Sequence, residues 1–166
     1  RGERGLIVGQ TGSGKTQGAI WQLRMLPYAP VFILDTKIED AFLGIAREGE
    51  TMEIVEGYSA FQSMLKKAHC PHYVIVRPTS EEMVDFDALN QYLVDLYERK
   101  NCVVYIDEAY QWHNQGRAVP GLISLLTRGR SRKITLLLGT QRPLWISRFC
   151  ITEVQRYYMY FLADPR

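Results

Sequence analysis

The sequence predicts a three-layer α/β/α domain with a central, mostly parallel sheet, on two observations. Short apolar runs alternate with helix-period segments along the chain, the pattern of strands joined by crossover helices. The first run, Leu6-Ile7-Val8, enters Gly9-Gln10-Thr11-Gly12-Ser13-Gly14-Lys15-Thr16 and then a helix-competent stretch from Gln17 to Leu26. The spacing G-x-x-x-x-G-K-[ST] between a strand and a helix is that of a phosphate-binding loop. The runs are continuous rather than alternating, as expected when both faces of a parallel sheet are covered.

Taken in order, strands are expected at Leu6–Val8, Val31–Asp35, Met52–Val55, Tyr73–Arg77, Cys102–Ile106, Ile134–Gly139 and Tyr157–Leu162, each rich in Val, Ile, Leu or Tyr, with Met52–Val55 the weakest. Helices are expected at Thr16–Leu26, Asp40–Arg47, Ser59–Ala68, Glu82–Arg99 and Pro120–Arg128. Pro27 and Pro30 stop the first. Thr79-Ser80-Glu81-Glu82 resembles a capping box opening the fourth, where Leu89, Leu93, Leu96 and Tyr97 recur at helical spacing and read as core. Connections between parallel strands should be right-handed, with ligands beyond the carboxyl ends of the strands.

Composition fits one globular domain over residues 1–166: 46% hydrophobic and 23% charged residues are ordinary values. A net charge of +2 announces no polyanion binder, so nucleic acid would have to meet a local basic patch. Cys70, Cys102 and Cys150 are scattered, odd in number and without a C-x-x-C pair, which argues against a zinc site or disulfide framework and for buried thiols in a reducing compartment. No apolar run approaches the roughly 20 residues of a membrane span, and no signal peptide is visible. The chain opens on Arg1 rather than Met, which leaves room for an upstream segment.

The chemistry concentrates at the expected strand ends. Gly9, Gln10, Thr11, Gly12, Ser13, Gly14, Lys15 and Thr16 would cradle a triphosphate: glycines let the backbone N–H groups turn inward, and the helix start adds its positive end. Lys15 would reach the β- and γ-phosphates, and the Thr16 hydroxyl would ligate Mg²⁺. Val103-Val104-Tyr105-Ile106 runs into Asp107 and Glu108. Asp107 would hold Mg²⁺ directly or through water, and Glu108 would polarise the attacking water. A glutamate there favours hydrolysis over phosphoryl transfer to an acceptor. Ile134–Gly139 ends at Thr140-Gln141, and the Gln141 amide could bond both a water and a γ-phosphate oxygen. Upstream, Arg128, Arg130 and Arg132 follow a helix, where they would suit its negative end or supply an arginine finger to a neighbouring subunit.

These motifs, in this order, resemble the FtsK/HerA superfamily of DNA-pumping ATPases, and within it the small genome-packaging ATPases of membrane-containing viruses and phages. The matching pieces are Gly9–Thr16, Val31–Lys37, Val103–Glu108, and Gly129-Arg130 leading into Ile134–Pro143, nearly the whole chain. The first and third are generic to phosphate-loop ATPases; the Gln-Arg-Pro at the strand tip after a basic Gly-Arg segment narrows the family. The resemblance implies a RecA/ASCE-like phosphate-loop NTPase fold, ATP and Mg²⁺, and a homohexameric ring threading double-stranded DNA into a preformed capsid. It makes Arg130 the best match to the finger acting in trans, with Arg128 and Arg132 as alternatives, and brings capsid vertex proteins in as candidate partners. Asp35 and Lys37 match the family's Asp-x-Lys, an acid–base pair near the nucleotide end of the sheet. A place in the host cytoplasm or the virion follows.

Gln111–Arg117 carries polar, flexible and cationic side chains suited to phosphate-directed DNA contacts, with Arg117 as the contact. Trp112 reads as packing and His113 as a surface histidine. Chromosome-segregation motors carry an extra DNA-reading domain and membrane spans absent from this sequence, so a minimal viral motor core is the better match. A HerA-like helicase or conjugative pump is the near alternative. A phosphate-loop kinase, with the arginines as a lid, and a nucleotide-dependent assembly or export protein are alternatives of another class. Glu108 and Gln141 argue against the kinase.

Overall fold

The computed structural model describes residues 2–26, 30–114 and 116–160. Its strands are β1 (Arg4–Val8), β2 (Val31–Leu34), β3 (Met52–Glu56), β4 (Tyr73–Arg77), β5 (Val103–Ile106), β6 (His113–Asn114), β7 (Arg117–Ala118), β8 (Thr135–Thr140) and β9 (Arg156–Met159). Its α-helices are α1 (Lys15–Met25), α2 (Gly57–Leu65), α3 (Phe86–Arg99), α4 (Pro120–Arg128) and α5 (Arg148–Glu153). Seven strands form one sheet in the order β3-β4-β2-β5-β8-β1-β9. Every pairing in it is parallel, so the expected mostly parallel sheet is wholly so among the described residues.

The continuous apolar runs are explained by two cores. Alternate residues of each central strand point to opposite faces. Leu6, Phe32, Val104 and Leu136 face one core with Phe61, Leu93 and Leu126 from α2, α3 and α4. Ile7, Ile33, Tyr105 and Leu137 face the other with Ala19, Ile20 and Leu23 of α1. Leu89, Leu93 and Leu96 are fully buried, as their spacing predicts, and Tyr97 packs at the margin.

Local chemistry moved several boundaries. Asp40–Arg47 is not an α-helix: a 3₁₀ turn over Asp40–Gly44 is all that forms, enough to bury Phe42. The expected helix from Glu82 is divided. Thr79 and Glu82 do bond reciprocally (2.9 and 3.3 Å), but the box opens only a 3₁₀ turn over Glu82–Val84. Asp85 then caps α3, its carboxylate accepting from the amides of Asp87 and Ala88. The short helix α5 and the hairpin β6–β7 lie in stretches that read as loop. Pro27 and the last two residues of the expected Tyr157–Leu162 strand lie outside the described residues.

A candidate nucleotide site at the ends of three strands

β1, β8 and β5 are neighbours, with β8 between the other two. The segments that leave their carboxyl ends therefore converge. Gly9 continues the ladder by donating its N–H to Thr140 O at 3.2 Å, after which the loop turns. Gly12 (φ 77°) and Gly14 (φ 84°) sit in the left-handed region, where a side chain is strained. At Gly9 a Cβ would lie 2.5 Å from Ser13 Oγ. α1 then begins at Lys15 with no side chain capping its amino end, which leaves backbone donors for an anion. A cavity of about 360 Å³ opens here, lined by residues 10–12 and 14–17 with Glu39, Ala41 and Gln141.

The two acids close over Lys15. Its Nζ lies 3.0 Å from Asp107 Oδ1 and 3.4 Å from Glu108 Oε1. All three residues are buried. Desolvated charges of this kind persist only when paired. The Tyr105 hydroxyl donates to the same Asp107 Oδ1 at 3.0 Å, and burial, reinforced by that carboxylate, holds its pKa well above the ordinary tyrosine value. Gly139 on β8 makes room for this hydroxyl: a Cβ there would stand 2.4 Å from it. Asp107 Oδ2, by contrast, is buried without a partner.

Glu108 has φ 51°, an uncommon conformation for this residue type. Oε1 accepts from Lys37 Nζ at 2.6 Å and Oε2 from the Gln141 amide at 3.2 Å. Gln141 also accepts the Thr11 hydroxyl on Oε1 at 2.7 Å, which ties the tip of β8 to the phosphate loop.

Asp35 and Lys37 do lie near this end of the sheet, but they are not paired with each other. Asp35 takes Arg77 Nε at 3.1 Å and the Glu39 amide at 3.0 and 3.1 Å. Burial raises its pKa despite those donors. Lys37 instead crosses to Glu108. Thr36 and Ile38 flank it, and Ile38, β-branched and 62% exposed, has φ 58°. That backbone is strained for an isoleucine. The sequence places Lys37 beside the site; nothing in it says that Glu108 is the partner.

Asp107 and Thr16 suit Mg²⁺. Both offer hard oxygens, and the orphaned Asp107 Oδ2 is a buried acceptor that a cation would satisfy. No cluster of three or more His, Cys, Asp or Glu exists among the described residues.

The three candidate finger arginines lie elsewhere. Arg130 precedes β8, at the amino end of the sheet, its stem against Gly2. The six residues of β8 put roughly 20 Å between that end and the chain's own phosphate loop. Arg130 is exposed and has no ion-pair partner among the described residues. Arg128 bonds Ser124 Oγ at 3.0 Å. Arg132 is occupied by Glu98 at 3.0 Å and by the Tyr97 ring at 4.3 Å.

Trp112 is core, as expected. His113 is not a surface residue: it is buried. Its Nδ1 lies 2.9 Å from Ala109 O, its Nε2 accepts the Ser147 amide at 3.3 Å, and Cys150 Sγ is 3.5 Å away. The polar run 111–117 had masked a hairpin whose first residue docks α5. Arg117 is exposed in a separate cavity of about 330 Å³ shared with Asp87, Asn90 and Asn114. Gln115 lies outside the described residues. Cys102 and Cys150 are buried as expected, Cys70 only partly, and all three are free thiols.

No family model matches the sequence. The chain is 30% identical over 165 residues to the DNA packaging ATPase of Enterobacteria phage PRD1, an alignment that takes in 99% of this chain and 66% of that protein, just under two thirds of its length. In fold it is similar to the genome packaging NTPase of Sulfolobus turreted icosahedral virus 2, determined in complex with ATP-gammaS. The TM-score is 0.69 and the identity 18%, over 99% of this chain and 78% of the other. The N-terminal domain of zonular occludens toxin from Neisseria meningitidis is similar at a TM-score of 0.53 and 19% identity, over 98% of this chain and 78% of that one.

Proposed function

We propose, taking as premise that the chain is a relative of the viral genome-packaging ATPases, that it hydrolyses ATP and spends the energy moving double-stranded DNA into a capsid. The observation that carries this reading is the convergence on Lys15. Lys15 of the glycine loop brings its ammonium group to 3.0 Å from Asp107 and 3.4 Å from Glu108, so loop and acids meet where one triphosphate could be shared.

Each residue then has a task. The loop amides and Lys15 bind the phosphates, with Lys15 leaving the acids as the nucleotide enters. Mg²⁺, held by Thr16 and Asp107, would neutralise charge on the β- and γ-phosphate oxygens. Glu108 accepts the proton of the attacking water. Gln141, already on Thr11 and in touch with Glu108, orients that water and senses the γ-phosphate. A guanidinium is the missing element, because the phosphate-loop cavity is lined by no arginine among the described residues. Arg130, at the far end of β8, fits a finger given to a neighbouring copy, as the homohexameric ring implied by the resemblance would require. Capsid vertex proteins would then be further partners, and the host cytoplasm or the virion the place of action. Among the described residues no helix is long and apolar enough to cross a membrane.

Hydrolysis measured with and without long duplex DNA is the decisive experiment. A motor is stimulated by DNA; a nucleotide-dependent assembly protein turns ATP over negligibly either way. Glu108→Gln should keep nucleotide binding and lose turnover by on the order of 10²–10⁴. Normal hydrolysis by that variant would move the base elsewhere.

A further inference from the structure

Beyond Gln141 the chain makes an exposed ledge that the nucleotide chemistry does not use. Arg142 follows Gln141 directly, and its guanidinium lies 4.0 Å over the Trp145 ring and 5.7 Å from that of Tyr110. Trp145 and Tyr110 meet edge to face at 5.5 Å. Leu144 is 95% exposed and Trp145 55%, which no packing requirement of the fold explains. Arg148, also exposed, opens α5 on the same segment. The ledge is fixed to the hairpin by the Ser147 amide on His113 Nε2, and a cavity of about 340 Å³ lies beneath it, lined by Tyr110, His113, Gly116, Leu144, Trp145 and Ile146.

The charge pattern names the occupant. Neither 109–119 nor 141–152 contains an Asp or Glu, in a chain that has 18 of them. Arg117, the contact expected from sequence, opens instead on the cavity it shares with Asp87. Two acid-free segments that carry arginines suit a polyanion. A guanidinium held over an aromatic face is weakly hydrated and loses little freedom when it takes a phosphate. The apolar Leu144 and Trp145 beside it suit the sugar edges between phosphates, contacts that need no base sequence.

We propose that the Arg142–Trp145–Arg148 ledge is where the protein grips the backbone of duplex DNA. The inference rests on the translocase reading and deepens it. The grip is one peptide bond from Gln141, whose side chain is on Thr11 of the phosphate loop and whose amide is on Glu108. A pull on Arg142 acts on the γ-phosphate end of the site without an intervening element.

The test is the salt dependence of affinity for a linear duplex of mixed sequence, between about 50 and 200 mM salt, where each phosphate contact adds roughly 0.9 to the slope of log K on log salt. Arg142→Ala and Arg148→Ala should each lower that slope by about one. Trp145→Ala should weaken binding, and Arg142→Lys should keep the slope but bind less tightly. Thermal melting verifies the fold; if Arg142→Ala does not fold, Arg148→Ala and Arg142→Lys carry the test. Unchanged slopes and affinities in the variants, beside a salt-dependent parent, overturn the ledge alone. So does a loss of molecular mass in the variants with DNA affinity intact, which would assign the ledge to a neighbouring copy of the chain. A parent protein with no affinity for duplex DNA at any salt would instead sink the translocase reading.

Discussion

Both oxygens of Glu108 are taken in this structure, one by Lys37 and one by the Gln141 amide, and the side chain is fully buried. In the role of base proposed above, Glu108 would meet no water there, and its ion pair with Lys37 would hold it at rest. Lys37→Met is expected to raise DNA-free ATP turnover by roughly tenfold, the factor that about 1.4 kcal/mol gives, a value near the low end for a charge-assisted hydrogen bond. Lys37→Arg should stay near the parent. A fall in turnover with Lys37→Met would instead make the lysine part of the working base. Lys15, Thr16, Asp107, Glu108 and Gln141 could all be placed from sequence because each stands at a fixed offset from a strand end. The contacts of Lys37 and Tyr105 could not, since they cross from one strand to another. The left-handed turn at Ile38 was equally invisible, because isoleucine signals no such turn.

The sheet was legible in the sequence, and so were α1 and α4, the latter at its expected bounds. Continuous apolar runs of four to six residues, as in Val31–Leu34 and Thr135–Thr140, announce strands covered on both faces, and apart from the last strand, which ends at Met159, the boundaries moved by only a residue or two. Elements set by single polar contacts were harder to see. Asp85 divided an expected helix, and α5 is six residues long, too short to show a period. His113 was the most misleading residue, a buried strut in a polar run. Burial lowers its pKa below the ordinary 6.5, so the folded protein binds protons less readily there than the unfolded chain. Its contribution to stability is complete above pH 6.5 and is lost as pH falls below it. The groups facing its ring are Ala109 O, the Ser147 amide and Cys150 Sγ, none an acid. Melting temperature should therefore drop through the mildly acidic range, and His113→Gln should flatten that drop while lowering the neutral-pH value.

At the scale of the whole molecule, the opposed placement of Arg130 and the phosphate loop on one sheet predicts complementation. Arg130→Ala should lose on the order of 10³ in turnover, and Lys15→Ala should bind no nucleotide productively. Mixed, the two should regain hydrolysis, because an intact arginine on the second chain can serve an intact pocket on the first. Mixing that restores nothing, with both variants folded and assembled, would assign Arg130 another task. The position of β8 has a wider consequence. Gln141 tops it and the Arg130 turn is at its foot, so in the ring proposed above a single stiff rod would have one tip in its own chamber and the other in the chamber next door. Firing order would then need no separate messenger: the six residues that join Gln141 to the Arg130 turn would carry the loss of one γ-phosphate to the neighbour.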